Sequence, residues 1–109
     1  MAETKLISYI VTDFISKSDM RVAEISWQEI ITKYSEKFKK AGALRQTISR
    51  IWDKDNIYRL GHHWEYKDDS AFKDCQKIFK LAEEEFKKET GIVWKISSNR
   101  GIIISETNF

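Results

Sequence analysis

Four groupings of side chains in this 109-residue sequence could carry chemistry. The first is His62-His63-Trp64-Glu65. Imidazoles ligate metals and shuttle protons near neutral pH. On a strand, however, neighbouring residues point to opposite faces, so His62 and His63 cannot chelate together. His63 and Glu65 would share a face, but two ligands fall short of the usual four of a zinc site. The pair therefore reads as surface histidines on a hairpin. The second is Cys75, the only cysteine. It falls on the apolar stripe of a predicted helix with no basic residue four positions away to stabilise a thiolate, so it reads as a buried, inert thiol. The third is the acidic run Glu83-Glu84-Glu85, followed by Lys87-Lys88. It reads as an exposed helix face with i,i+4 pairs Glu83–Lys87 and Glu84–Lys88. With four glycines in the chain, no phosphate-cradling loop, nucleophile elbow or dinucleotide fingerprint is present. The expectation is a protein that is not an enzyme and has no cofactor or metal.

The fourth grouping is electrostatic. The net charge is only +2, but residues 37–59 hold Lys37, Lys39, Lys40, Arg45, Arg50, Lys54 and Arg59 against Asp53 and Asp55, a local net of +5. Residues 1–36 and 60–91 are each net −2. Positive charge concentrated in one short segment points to an anionic partner at one face.

The elements that must position these groups follow from periodicity. Leu6, Ile7, Ile10, Val11, Phe14 and Ile15 recur at helical spacing and predict a helix over about 4–16. Val22–Ile25 reads as a short extended stretch. Ser26-Trp27-Gln28-Glu29 fits a capping box that opens a second helix to about Lys40. Gly42 interrupts it. A third helix over about 43–53 would place Leu44, Ile48, Ile51 and Trp52 inward. Ile57–Lys67 reads as a hairpin turning at Gly61-His62. Asp68-Asp69-Ser70 opens a long helix over about 70–90, with Phe72, Cys75, Phe79, Ala82 and Phe86 inward and Gly91 as its stop. Ile92–Ser97 and Ile102–Glu106 flank Ser98-Asn99-Arg100-Gly101 as a second hairpin. The expected fold class is α+β: three N-terminal helices with a hairpin, then a long helix and a C-terminal β-hairpin. The chain reads as one domain over 1–109, with 68–109 as an extension of 2–67.

A helix-turn-helix needs a small residue at its turn, apolar anchors in the second helix, and polar or basic residues facing outward. Gly42, Ile48 and Ile51 supply the first two within about 27–53, and Arg45, Gln46, Ser49 and Arg50 the third. On these residues the stretch from about 2 to 67 resembles the winged-helix branch of helix-turn-helix proteins. The resemblance implies a double-stranded DNA partner and a role in transcription regulation or DNA architecture. Arg45, Gln46, Ser49 and Arg50 would then enter the major groove, and the hairpin 57–67 would be the wing. Lys39, Lys40, Lys54 and Arg59 would hold phosphate.

A protein-binding adaptor or inhibitor is the alternative. It would act through the aromatic hairpin 57–67 (Tyr58, Trp64, Tyr66) or through Glu83 and Glu84 on the helix 70–90, because exposed aromatic anchors dominate binding energy. The isoleucines at 102–104 read as a strand edge that a second copy could cover, making a homodimer. No run approaches the roughly 20 apolar residues of a membrane span. With no leader-like start and a single cysteine, a cytoplasmic, intracellular protein is expected.

Overall fold

The computed structural model describes residues 4–109, so the first residues of the stretch 2–67 lie outside it. The elements run β1 (Leu6–Phe14), α1 (Lys17–Lys33), α2 (Ser35–Ala41), β2 (Ala43–Arg50), β3 (Tyr58–Tyr66), α3 (Asp69–Thr90) and β4 (Lys95–Ile102). The strands form one antiparallel sheet in the order β2-β3-β1-β4. Each half of the chain is a strand, a helical crossover and a strand, and the two halves interleave so that β1 and β3 lie at the centre. The helices cover one face of the sheet.

This architecture corrects the expected one of three N-terminal helices and two hairpins. The first predicted helix is the central strand β1. Its apolar residues come in adjacent pairs (Leu6-Ile7, Ile10-Val11), and in a strand the two members of each pair point to opposite faces. Neither face of this strand is wholly polar, so it mimics a helical stripe. The third predicted helix is the edge strand β2. There Gln46, Ile48 and Arg50 alternate with Arg45, Thr47 and Ser49, a period of two that hydrophobic spacing at 44, 48 and 51 obscured. The predicted C-terminal hairpin is one strand, β4, which runs straight through Ser98–Gly101 alongside β1. Likewise 58–66 is one strand, paired with β1 and β2 on its two sides. The predicted extended stretch 22–25 lies inside α1. That helix begins nine residues before Ser26, at Lys17, and is capped by Ser16, whose hydroxyl accepts from the Asp19 amide at 3.0 Å.

α1 buries Met20, Ala23, Trp27, Ile30 and Ile31. α3 is capped by Asp68, whose carboxylate accepts from the Ala71 amide at 2.8 Å, and it stops at Gly91 in the left-handed conformation. Its buried stripe of Ala71, Cys75, Phe79, Ala82 and Phe86 packs on the sheet, with Phe72 half-buried. Burial pushes the Cys75 thiol up to about 11.

Gly42 ends α2 with φ +108°, and its carbonyl accepts from the Lys67 amide at 3.0 Å. A Cβ built there would lie 2.6 Å from the Ala71 Cβ. Backbone handedness and lack of space both demand glycine. Gly42→Ala is expected to lower the unfolding free energy by about 2 kcal/mol, read from urea denaturation. A loss below about 0.5 kcal/mol would show that neither constraint operates.

Candidate functional site

The inward side of the sheet carries polar residues where a core would ordinarily be apolar. On β1, Ser8 and Thr12 are each 2% exposed, and on β3 His62 is 3% exposed. The Thr12 hydroxyl and His62 Nε2 are hydrogen-bonded at 3.0 Å. Desolvation holds the imidazole well below its ordinary value, at about 4, so it is neutral near pH 7.

These groups sit at the floor of a cavity of about 100 Å³ between the sheet and α3. Phe72, Gln76 and Phe79 of α3 form its roof, Trp27 of α1 and Trp94 its inner wall, and Ser98 and Arg100 of β4 its mouth. The aromatic walls are held by edge and stacked contacts. Trp27 meets Trp94 at 5.4 Å between ring centroids and Phe86 at 5.9 Å, while Phe86 stacks on Trp94 at 4.4 Å.

Two donors on this cavity stand out. The Trp27 indole N–H and the Tyr66 hydroxyl are buried and have no hydrogen-bond partner among the described residues. Each belongs to a side chain at most 4% exposed. A buried polar group left unpaired costs about 1–3 kcal/mol, so these two are available to pair with whatever occupies the cavity, water included. Burial keeps the Tyr66 phenol above its ordinary value, and the nearby charge of Arg100 opposes part of that shift. It therefore stays protonated and able to donate. Arg100 lies over the Phe72 ring at 4.8 Å, joining the edge strand to α3 across the mouth. At the other end of the roof, desolvation raises the Glu83 carboxyl above its ordinary value.

The residues singled out from sequence are dispersed. Lys39 and Lys40 are exposed in the last turn of α2. Arg45 and Ser49 lie on the sheet face away from the helices, whereas Gln46 and Arg50 lie on the helix side. A spacing of five puts Arg45 and Arg50 on opposite faces of a strand, so no helix projects them together toward a groove. Their charge is also answered within the chain. Arg50 makes a two-pronged contact with Glu24 at 2.6 and 2.9 Å, and Arg59 one with Asp13 at 2.6 and 3.0 Å. Arg45 lies 3.8 Å from Glu65 and Lys54 4.0 Å from Asp53. The winged-helix resemblance and its double-stranded DNA partner are overturned by this sheet.

The adaptor reading loses its anchors in the same way. Trp64 is 2% exposed and Tyr66 fully buried, Tyr58 is half-buried against the core, and of the named residues Glu83 and Glu84 alone stay exposed on α3, Glu83 beside the cavity. His62 is buried on the helix side of β3 and His63 lies on the other side, where the reading had both at a surface turn.

The cavity itself was missed. Its signal was Ser8 and Thr12, two small polar residues on the inward register of a strand, which cannot be seen while 4–16 is read as a helix.

The profile of a family described as a domain of unknown function (DUF6974) matches residues 3–103. No curated protein matches the chain. Among solved structures, two dimeric ferredoxin-like proteins from uncultured marine organisms are similar over nearly the whole chain. One is 25% identical, with a TM-score of 0.81 and coverage of 95% of this chain and 99% of that one. The other is 24% identical, with a TM-score of 0.80 and coverage of 96% and 100%. A monooxygenase of Streptomyces coelicolor, solved in complex with nanaomycin D, is 10% identical, with a TM-score of 0.67 and coverage of 96% and 92%. The fold is thus ferredoxin-like, which excludes the helix-turn-helix and the regulatory role drawn from it. No helix among the described residues is long and apolar enough to cross a membrane.

Proposed function

Taking as its premise that the chain belongs to the DUF6974 family, we propose that it binds a small, planar aromatic molecule bearing oxygen acceptors in the cleft between the sheet and α3. The observation that carries this reading is the convergence of two buried, unpaired donors, Trp27 N–H and Tyr66 O–H, on one aromatic-walled cavity. Donors of this kind select carbonyl, quinone or phenol oxygens, and the flat walls select a ring. The cavity, at about 100 Å³, is smaller than the roughly 150 Å³ that holds benzene in an apolar protein interior. A ring would therefore enter with one edge in the mouth, displacing Arg100 from Phe72. That a protein of this fold holds nanaomycin D supports a small organic ligand. The description of two relatives as dimeric supports a homodimer as the working state.

Titration with 1,4-naphthoquinone and 1-naphthol, followed by tryptophan fluorescence, tests the reading. Both are expected to bind more tightly than naphthalene, which lacks the oxygens. Tyr66→Phe and Trp27→Phe are each expected to weaken binding by about 3- to 10-fold, the contribution of one hydrogen bond. Equal affinity for naphthalene and its oxygenated relatives, or no effect of either substitution, would remove the basis of the proposal.

A second reading, that the bound ring is also oxidised, is favoured by the monooxygenase among the structural relatives. Oxygen uptake on adding 1-naphthol separates the two: binding alone consumes none. His62 supports binding without turnover, because an imidazole held near 4 is a poor proton acceptor at neutral pH.

A further inference from the structure

The cavity between the sheet and α3 carries its charge at its two ends. Arg100 stands at the mouth and Glu83 at the far end of the roof. Among the described residues, nothing else in the lining is charged near pH 7. Glu83 lies eleven residues beyond Phe72 on α3, about 16 Å along the helix axis, too far to neutralise a guanidinium seated on Phe72. Arg45, Arg50 and Arg59 each face a carboxylate of this chain. Among the described residues Arg100 faces none and lies over the Phe72 ring instead.

Strand register brings a second donor to the same corner. Arg100 is paired with Ser8 on β1, and Ser8 with Trp64 on β3. Tyr66 stands two residues on from Trp64 and shares its face. The Tyr66 ring meets Phe72 edge-on at 5.5 Å, so one aromatic ring touches both Tyr66 and Arg100. The Tyr66 hydroxyl is buried, lacks a partner and feels the Arg100 charge. We infer that the ligand is an elongated aromatic carboxylate, with its acid group held at the mouth by Arg100 and Tyr66 and its other end accepting from Trp27. The assignment rests on the aromatic-ligand reading above and names the class of that ligand.

A carboxylate suits this corner on three counts. Its two oxygens match the planar fork of a guanidinium, and one of them can also accept from the Tyr66 O–H. Arg100 is exposed, so an acid group beside it keeps part of its water and escapes the cost of full desolvation. Entry of a ring displaces Arg100 from Phe72, and the carboxylate gives the guanidinium a new partner. Glu83 sets the direction of entry, because an acid group pushed to the far end would meet a like charge. The length follows from the strand. Trp27 lies against His62 at 6.5 Å between ring centroids. His62 precedes Tyr66 by four residues on one face of β3, about 13 Å. A bicyclic ring substituted at both ends of its long axis suits that separation better than a single ring.

Calorimetric titration of the full chain with 6-hydroxy-2-naphthoate and with 2-naphthol, the same molecule without the carboxylate, tests the assignment. The acid is expected to bind about 10-fold more tightly at low salt. Raising sodium chloride from about 0.05 to 0.5 M is expected to remove most of that advantage and to leave 2-naphthol unchanged. Arg100→Gln is expected to erase the advantage while 2-naphthol binds as before. Arg100 is exposed on an edge strand, and circular dichroism checks that the variant folds. The salt titration of the unaltered chain answers the same question without a variant. If 2-naphthol binds more tightly than naphthalene but the acid gains nothing over 2-naphthol, or its gain survives Arg100→Gln or high salt, the carboxylate site is overturned and the aromatic reading stands. If the acid binds through Arg100 while 2-naphthol binds no better than naphthalene, the neutral-oxygen reading fails and the carboxylate site stands. Absence of binding by either molecule overturns both.

Discussion

Trp64→Ala is expected to lower the unfolding free energy by about 3–5 kcal/mol, the cost of truncating a buried aromatic. Trp64 projects from the central strand β3 into the angle between α2 and α3. Its ring meets Phe79 edge-on at 4.6 Å, Phe38 at 4.8 Å and Tyr66 in a stack at 6.3 Å. Phe38 and Phe79 also touch each other at 5.0 Å, so one side chain joins both helices to the sheet. The void left by alanine would open into the cavity that Trp64 already borders, and the surrounding backbone of a paired central strand cannot collapse to fill it. Urea denaturation gives the number. A loss under about 1 kcal/mol would mean that the tryptophan is a surface residue, as the hairpin reading had it, and would undermine the packing described above.

Acidification from pH 7 to pH 4 is expected to cost the protein roughly 3 kcal/mol through His62 alone. Its folded value is depressed by burial to about 4, against 6.5 for a free imidazole. Between those two values the unfolded chain takes up a proton that the folded chain refuses. The contribution of His62 is thus fully present above about 6.5 and is lost as the pH falls toward 4. Three other groups are separable by sign or by window. Asp13 and Glu85 are held below their ordinary values by hydrogen bonds from Arg59 and Lys33 respectively, so their stabilisation is lost mainly below the ordinary carboxylate range. Glu83 is raised by desolvation, so its effect runs opposite, with stability lost as pH rises through its folded value. The difference between wild type and His62→Gln isolates the histidine. Wild type should lose its advantage over His62→Gln steadily from pH 6.5 to 4. Parallel stability curves across that range would mean that His62 titrates as freely when folded as when unfolded.

The site and the fold were legible in the sequence to different degrees, for reasons that lie in particular residues. Local rules sufficed wherever a chain segment decides its own structure. α3 could be read from Asp68 at its start, Gly91 at its stop and an apolar residue every third or fourth position between, because caps and one-sided burial are contained within the segment. Gly42 could be read as a break, because few other residues tolerate its backbone angle. Only the tertiary structure decided the strands. β1 is flanked by two strands and has apolar residues on both faces, so its pattern takes meaning only from its neighbours. β2 and β4 are polar edge strands whose identity comes from their hydrogen-bonded partners, β3 and β1. The cavity lies further still from the sequence. Ser8, Trp27, Tyr66 and Arg100 come from β1, α1, β3 and β4, and nothing local records that folding brings them around one cavity. Composition established a basic segment, but folding answered its arginines with Glu24, Asp13 and Glu65. Charge counted along a chain does not tell where its partners will lie, because pairing acts through space and not through sequence distance.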